Sequence, residues 1–342
     1  MRVLRLGTAV SLPVRLRAVA AAAGCALVAV AVALHTVGSG DYPMSIAEVL
    51  RTAAGGGTAT QDFVVNQLRL PRAVAALLVG AALGLSGAVF QSLVRNPLGS
   101  PDLLGFTQGS AAGALAVVVT GGGTLALAGG AVAGGLLTGA LIYALAWRQG
   151  VQGQRLVLVG IAVSAVLTGV NGFLLTRGQL MDAARAVLWL TGSLDGRGWF
   201  DLLPLLVATA VLAPVVLAGC GRALRMMEMG DDTAYGLGIP VERVRLTLLG
   251  AAVLLAAFAA ATAGPVAFVA LTAPQLARRL TAAPGPGLLP AACMGAALTA
   301  VADWAAQRLI PGHQLPVGVV TGALGGAYLV WLLAAQRSRG RI

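Results

Sequence analysis

The sequence predicts an all-α, polytopic membrane protein with about ten transmembrane helices. Three observations carry that prediction. Of the 342 residues, 58% are hydrophobic and only 10% charged, against about 25% charged in an ordinary soluble domain. Mean hydropathy is +0.88. Apolar runs near the ~20 residues needed to cross a bilayer recur along the whole chain. They use over half of it, so residues 1–342 read as a single transmembrane domain and not as a soluble domain with an anchor.

A basic start (Arg2, Arg5, Arg15, Arg17) leads into the first span, 18–37. Ala23-Gly24-Cys25 is faintly similar to a lipoprotein cleavage site. The apolar run continues past Cys25 and is too long for a signal core, so it reads as a retained span. Ser45 followed three residues later by Glu48 has capping-box spacing and predicts a short interfacial helix over 45–53. The second span, 63–93, carries Arg69-Leu70-Pro71-Arg72 near its start and many small residues inside. It ends at the polar break Arg95-Asn96-Pro97, where Asn96 and Pro97 mark a shaped turn. Spans follow at 103–119, 123–147 and 156–176. Met181 to Leu190 predicts a second interfacial helix, followed by a turn-rich link from Trp189 to Trp199 whose tryptophans suit a membrane interface. The remaining spans are 201–219, 244–262, 265–280, 287–306 and 316–335. Gly80-xxx-Gly84, Gly130-xxx-Gly134 and Gly322-xxx-Gly326 predict close helix approach.

Ten spans put both termini on one side. Assigning that side to the cytoplasm places 16 arginines inside and 7 outside, which is the bias that orients membrane proteins. The cytoplasmic parts are then a tail over 1–17, a loop over 222–245 and a tail over 336–342, in a multi-pass inner-membrane protein. The formal charge is +11, and every basic residue is Arg. Because these arginines sit in short loops between apolar runs, the charge points to orientation in a lipid membrane and not to nucleic acid. Cys25, Cys220 and Cys293 are scattered and form no metal-ligand spacing. His35 and His313 stand alone.

Several chemistries are missing. No phosphate-cradling GxxxxGK[ST] is present, so the chain is not expected to hydrolyse ATP. No nucleophile elbow or paired-histidine motif appears, which argues against an integral membrane enzyme. The spans carry almost no ionisable residues for an ion relay, which weighs against a secondary transporter. Asp303, in the ninth span, reads as a structural acid paired with Arg308 or Gln307. Arg69, Arg72 and Arg308 sit at the outer membrane boundary, either snorkelling to lipid phosphate or offered to carboxylates of a soluble partner. The loop RALRMMEMGDDTAYGLGIPVERVR holds a predicted short helix. Asp231 or Asp232 would cap it, Gly236 or Gly238 would end it, and Pro240 would bar its continuation. Met229, Tyr235 and Leu237 are then available to a partner.

These motifs form an ordered set. RLPR at Arg69–Arg72, SGAVFQSLVRNPLGSPDLLG, LVLVGIAVSAVLTG, LWLTGSLDGRGW, GDDTAYGLGI, GPVAFVALTAPQLARRL and LPVGVVTGALGGAYLVWLL together resemble the FecCD-type permeases of iron–siderophore, haem and cobalamin ABC importers, over roughly residues 40–335. The resemblance implies a type II ABC importer bundle of ten spans. It implies a homo- or heterodimer with a second permease subunit around a central path. Two cytoplasmic ABC ATPase subunits would lie below, holding the ATP and magnesium, and an extracytoplasmic siderophore-binding protein above. No cofactor or metal is expected on this chain.

By the same resemblance, Met229, Gly230, Asp231, Asp232, Thr233, Ala234, Tyr235, Gly236, Leu237 and Gly238 form the ATPase-coupling segment. Arg69 and Arg72 are the docking arginines. The family's third arginine falls where this chain has Gln307, with Arg308 one position later. Cobalamin-type members often carry Pro-His where this chain has Pro274-Gln275, and PQLARRL with WLTGSLDGRGW is more similar to the ferric-siderophore branch. The expected function is inward passage of ferric siderophore, with a haem or cobalamin permease as the alternative.

Overall fold

The computed structural model describes residues 2–6, 10–40, 42–148, 153–177, 180–310 and 312–337. Of the predicted tail 336–342, residues 338–342 lie outside these. Within the predicted 1–17 tail, β1 (Arg2–Leu6) and β2 (Val10–Val14) pair antiparallel. The period-two alternation Val10, Leu12, Val14 favours a strand there.

The rest of the fold is helical. The first part comprises α1 (Leu16–Gly38), α2 (Ile46–Ala53), α3 (Ala59–Asp62) and, after a π-helical segment Phe63–Arg69, α4 (Leu70–Val94). Pro71 has no N–H to give the preceding turn, which accounts for the widened register there. Then come α5 (Phe106–Val119), α6 (Thr124–Ala146), α7 (Gly153–Arg177) and α8 (Leu180–Leu190). A second π segment, Val215–Gly219, follows Pro214 and links α9 (Trp199–Pro214) to α10 (Gly221–Met227). The chain ends with α11 (Asp231–Gly236), α12 (Val241–Ala263), α13 (Val269–Thr281), α14 (Leu288–Ala306) and α15 (Val317–Arg337). Each of the ten predicted spans is thus matched by a helix. Among the described residues seven helices are long and apolar enough to cross a membrane.

The capping box of α2 forms as its spacing predicts. Ser45 N–H donates to Glu48 Oε2 at 2.8 Å and Glu48 N–H to Ser45 Oγ at 3.3 Å. The Ser45 backbone N–H holds the Glu48 carboxyl below its usual range.

Helix α4 lies at the centre, with 18 of its 25 residues buried. Its small residues let backbones touch. A methyl group added at Gly80, Gly84 or Gly87 would fall within 3.0 Å of the carbonyl oxygens of Gly295, Ala291 and Ala270 respectively, and one at Gly295 would meet Gly80. Gly113, Gly130 and Gly134 bring α5 and α6 together in the same way. Gly322 and Gly326 do not follow the prediction. Among the described residues, no neighbouring element lies within 4 Å of a Cβ at either.

Two predicted spans begin late. Residues 95–105 are non-helical, yet Leu104 and Gly105 already lie against Gly160 and Ser164 of α7, so α5 starts well inside the bundle. From Gly264 to Phe268 the chain is again non-helical, and α13 starts near Gly87 of α4. Gly-Pro at 264–265 and Ser-Pro at 100–101 oppose helix at both places. Non-helical backbone at membrane depth must find partners within the protein. Here Gln275 Nε2 donates to the Pro97 carbonyl at 2.8 Å, and Ser193 N–H to the Ala263 carbonyl at 2.7 Å. The first bond ties the 95–105 segment to α13, and the second ties the end of α12, just ahead of the 264–268 segment, to the link after α8.

Candidate functional site

The predicted site residues gather at the two opposite ends of α4. At one end, Arg72 stands in the first turn of the helix, held among three acceptor groups. Its Nη2 meets Asp303 Oδ1 at 3.0 Å, and its Nε meets Oδ1 and Oδ2 at 3.2 and 3.3 Å. Its Nη1 meets Asp195 Oδ1 at 3.0 Å and Gln314 Oε1 at 2.7 Å. The side chains of Arg72 and Asp303 are 13% and 3% exposed, whereas Asp195 is 66% exposed. One guanidinium therefore ties α4 to α14 at depth and reaches the loop after α8 at the surface.

Asp303 also accepts from Gln307 at 2.7 Å, as predicted, but its cation is Arg72 and not Arg308. Arg308 sits one residue past Gln307, the C-cap of α14, in the turn beyond the helix. It bonds Ser39 Oγ instead and lies 5.4 Å over the Trp304 ring. Arg69 donates to the carbonyls of Val37 and Tyr42 at 3.0 and 2.9 Å. Arg69 and Arg308 therefore both clasp the segment that follows α1, and all three predicted arginines share this end. Trp199 anchors here through its Nε1, 2.7 Å from the Asn66 carbonyl.

At the other end, α4 stops at Arg95, whose backbone is left-handed (φ 54°). The Asn96 side chain accepts the Leu98 N–H at 2.9 Å, and the Pro97 carbonyl takes Gln275, so the predicted turn is a bonded one. Arg95 Nη2 reaches the Met227 carbonyl at 2.7 Å and Asp231 Oδ1 at 2.5 Å. The other Asp231 oxygen meets Arg245 Nη2 at 2.6 Å, and Arg245 Nη1 meets Glu242 at 2.5 Å. Asp231 is therefore not a cap. Helix α11 is capped by Gly230 at φ 122° without a side-chain bond, because two arginines claim the carboxylate. Leu237 follows as C-cap, and Gly238 turns the chain at φ 79°.

Beneath α11, Ala234 packs with Met227 and Val241. On its outer side Met229, Tyr235 and Leu237 are 63%, 52% and 56% exposed. Asp232 and Thr233 stand on the same short helix, with Gly236 at its end. The result is a small, rigidly mounted apolar knob beside a cleft of about 690 Å³ lined by Arg95, Pro97, Gln154 and Asp231. Arg95, Arg245, Asp195 and Gln314 are the members sequence reasoning did not assign. Arg95, Asp195 and Gln314 lie in polar breaks or loops and Arg245 in the first turns of α12, each next to a named motif, but none announces its partner.

Glu228 follows α10 at this end. Burial pushes its carboxyl up, outweighing the opposing pull of Arg278, Arg225 and Arg95. A carboxyl raised on folding favours the native state at low pH, and that contribution is lost as pH rises through the raised value. Glu228→Gln should therefore raise the melting temperature more at pH 8 than at pH 4. Paired thermal melts of the purified chain check this, and an equal shift at both pH values would contradict it.

Helices long and apolar enough to cross a membrane, packed around a buried α4, define a polytopic membrane protein. The sequence matches the FecCD transport family model over residues 17–335. It is 46% identical over 309 residues to the ferric enterobactin transport system permease protein FepG of Escherichia coli (strain K12), covering 88% of this chain and 91% of that one. It is 39% identical to the achromobactin transport system permease protein CbrC of Dickeya dadantii (strain 3937), covering 91% and 90%. A solved inward-facing metal-chelate type ABC transporter superposes with TM-score 0.81 at 28% identity, covering 92% of this chain and 98% of that one. The chain belongs to the FecCD transport family and is a permease subunit, not an enzyme.

Proposed function

We propose that this chain passes ferric siderophore into the cytoplasm as the permease subunit of an ABC importer, with α11 receiving the ATPase stroke. The observation that carries the coupling role is the exposed Tyr235, flanked by exposed Met229 and Leu237, on a short helix locked by Arg95, Asp231 and Arg245. Exposed apolar side chains on a rigid mount suit a partner's pocket better than water. The siderophore assignment is supported by relatives named for ferric enterobactin and achromobactin transport.

In this reading the Asp231 end is cytoplasmic, together with both termini, and the Arg72 end faces a siderophore-binding protein. ATP and magnesium reside on two ATPase partners, a second permease subunit completes the path, and this chain carries no cofactor or metal of its own. The tails, the 222–245 loop and the membrane core act as one domain. The non-helical segments 95–105 and 264–268 are the natural places for bending.

Two measurements test this. Deleting the gene should abolish uptake of labelled ferric siderophores while haem and cobalamin uptake persist; loss of haem uptake with siderophore uptake intact would reassign the substrate. Tyr235→Ala with Leu237→Ala should lower transport and transport-linked ATP hydrolysis at least 10-fold, since truncating a buried interface anchor costs about 2 kcal/mol or more. Unchanged ATP hydrolysis in vesicles holding the whole importer would remove α11 from the coupling role.

A further inference from the structure

The two non-helical segments meet at Asp102, in the stretch that leads into α5. Its Oδ1 accepts the Thr107 hydroxyl of α5 at 2.6 Å. The backbone N–H of Phe268, the N-cap residue of α13, donates to the same carboxyl. Oδ2 is shut off from solvent and has no hydrogen-bond partner among the described residues. Phe268 is held from several sides. Its backbone is left-handed (φ 66°), a conformation that a bulky residue keeps only where its surroundings impose it. Its side chain fills the space that Gly325 of α15 leaves open. Its carbonyl takes the N–H groups of Leu271 and Thr272 at 3.1 and 2.9 Å, so these do not turn to Asp102. No cation compensates the carboxyl among the described residues. Neither α5 nor the 264–268 segment has a charged side chain, and α13 has none before Arg278. Helix α7, whose Ser164 lies against Gly105, carries Arg155 and Arg177 at its two ends. Arg72 is at the far end of α4, and Arg95 is bonded to Asp231.

We propose that Asp102 is a positioning residue for transport: an uncharged carboxyl clasp that joins the two breaks and makes them move together. An ionised carboxylate offers about four acceptor positions. Here two donors reach it, and one oxygen has none. A charge so placed would be buried and uncompensated, and a proton on Oδ2 removes it. Oδ1 remains free to accept from Thr107 and Phe268. The clasp fixes where α13 begins, because the Phe268 N–H lies at the point where the chain turns into that helix. A merely space-filling residue would not serve, since the Phe268 N–H would lose its acceptor inside the bundle. The part played in transport rests on the bending assigned above to these two segments. The clasp itself does not depend on it.

The test compares Asp102→Ala with Asp102→Asn, whose amide keeps an accepting oxygen and carries no charge. The first measurement is hydrogen exchange over residues 264–268, read by mass spectrometry on the full-length chain in phosphatidylcholine nanodiscs. Exchange should quicken about tenfold in Asp102→Ala, the weight of one lost buried bond, and stay within about twofold of the parent in Asp102→Asn. The second is uptake per ATP hydrolysed in vesicles holding the whole importer, with the labelled ferric siderophore that the parent carries. Asp102→Ala should lose about tenfold with half-saturation unchanged, and Asp102→Asn should recover it. Circular dichroism and elution volume check that each variant is folded. If Asp102→Ala is not, Thr107→Val carries both measurements, with a change of about threefold in the same direction. Parent-like exchange in Asp102→Ala would overturn the clasp. Failure of Asp102→Asn to recover would make the charge the working feature and overturn the uncharged form. Quickened exchange with unchanged uptake per ATP, or a raised half-saturation alone, would overturn the positioning role. Exchange needs neither cargo nor ATPase, so the clasp can fail while the transport reading stands.

Discussion

Gly87→Leu should abolish assembly of the folded permease, and Gly295→Leu should do the same. At Gly87 the α4 backbone lies so close to the Ala270 carbonyl that even a Cβ would fall within 3.0 Å of it. The obstructing atom is backbone, so no rotamer change relieves the clash. Overpacking a core ordinarily costs about 1–3 kcal/mol. Here the alternative is to separate α4 from α13, which also breaks the 2.9 Å bond from Gln91 Nε2 to the Leu271 carbonyl. Native stability is only about 5–15 kcal/mol in total, so a helix displacement of this kind is not absorbed. The expected readout is loss of the monodisperse peak after extraction. Gly322→Leu is the matched control, because among the described residues a Cβ there meets no neighbouring element. A Gly87→Leu chain that extracts and melts like the parent would mean that the two helices do not approach as closely as the structure places them.

That contrast also shows what was legible in the sequence. Spans were readable because an apolar run of about 20 residues has few other uses. The Ser45–Glu48 capping box was readable because both partners lie within one turn. The three Gly-xxx-Gly pairs looked alike in a chain with 47 glycines. Among the described residues two of them meet another backbone and Gly322-xxx-Gly326 does not, because spacing identifies a face but not what lies opposite. The late starts of α5 and α13 had a local signal in Pro101 and Pro265, which hydropathy overrode.

Distance along the chain hid most of the candidate site. Asp231 suited an N-cap by local chemistry, yet Arg95, 136 positions away, claims its carboxylate at 2.5 Å. Charge-assisted bonds to two guanidiniums outweigh one bond to a helix-end N–H. Arg72 and Asp303 are 231 positions apart. No pattern in either span could have named the other, and a nearby arginine, Arg308, offered a plausible wrong partner.

Arg72→Leu should destabilise the chain more than Asp303→Leu, and the double substitution should recover most of the loss. Removing one member of a buried ion pair costs about 3–5 kcal/mol, while replacing both by apolar groups is often neutral. The two deletions differ because the leftovers differ. Without Arg72, the Asp303 carboxylate, 3% exposed, keeps Gln307 alone among the described residues. Without Asp303, Arg72 keeps Asp195 and Gln314. Thermal melts of the four proteins in one detergent measure the cycle, and equal losses from the single substitutions would show that Asp195 and Gln314 do not hold Arg72.

The same cycle separates two roles that a charge reversal at Arg72 would merge. If Arg72 also docks the binding protein, the recovered double variant should bind it at least 10-fold more weakly than the parent while melting near the parent temperature, because truncating one partner of a buried interfacial pair costs about 2–5 kcal/mol. If Arg72 only ties α4 to α14, the double variant should bind like the parent, and Arg72 would drop out of the proposed docking surface.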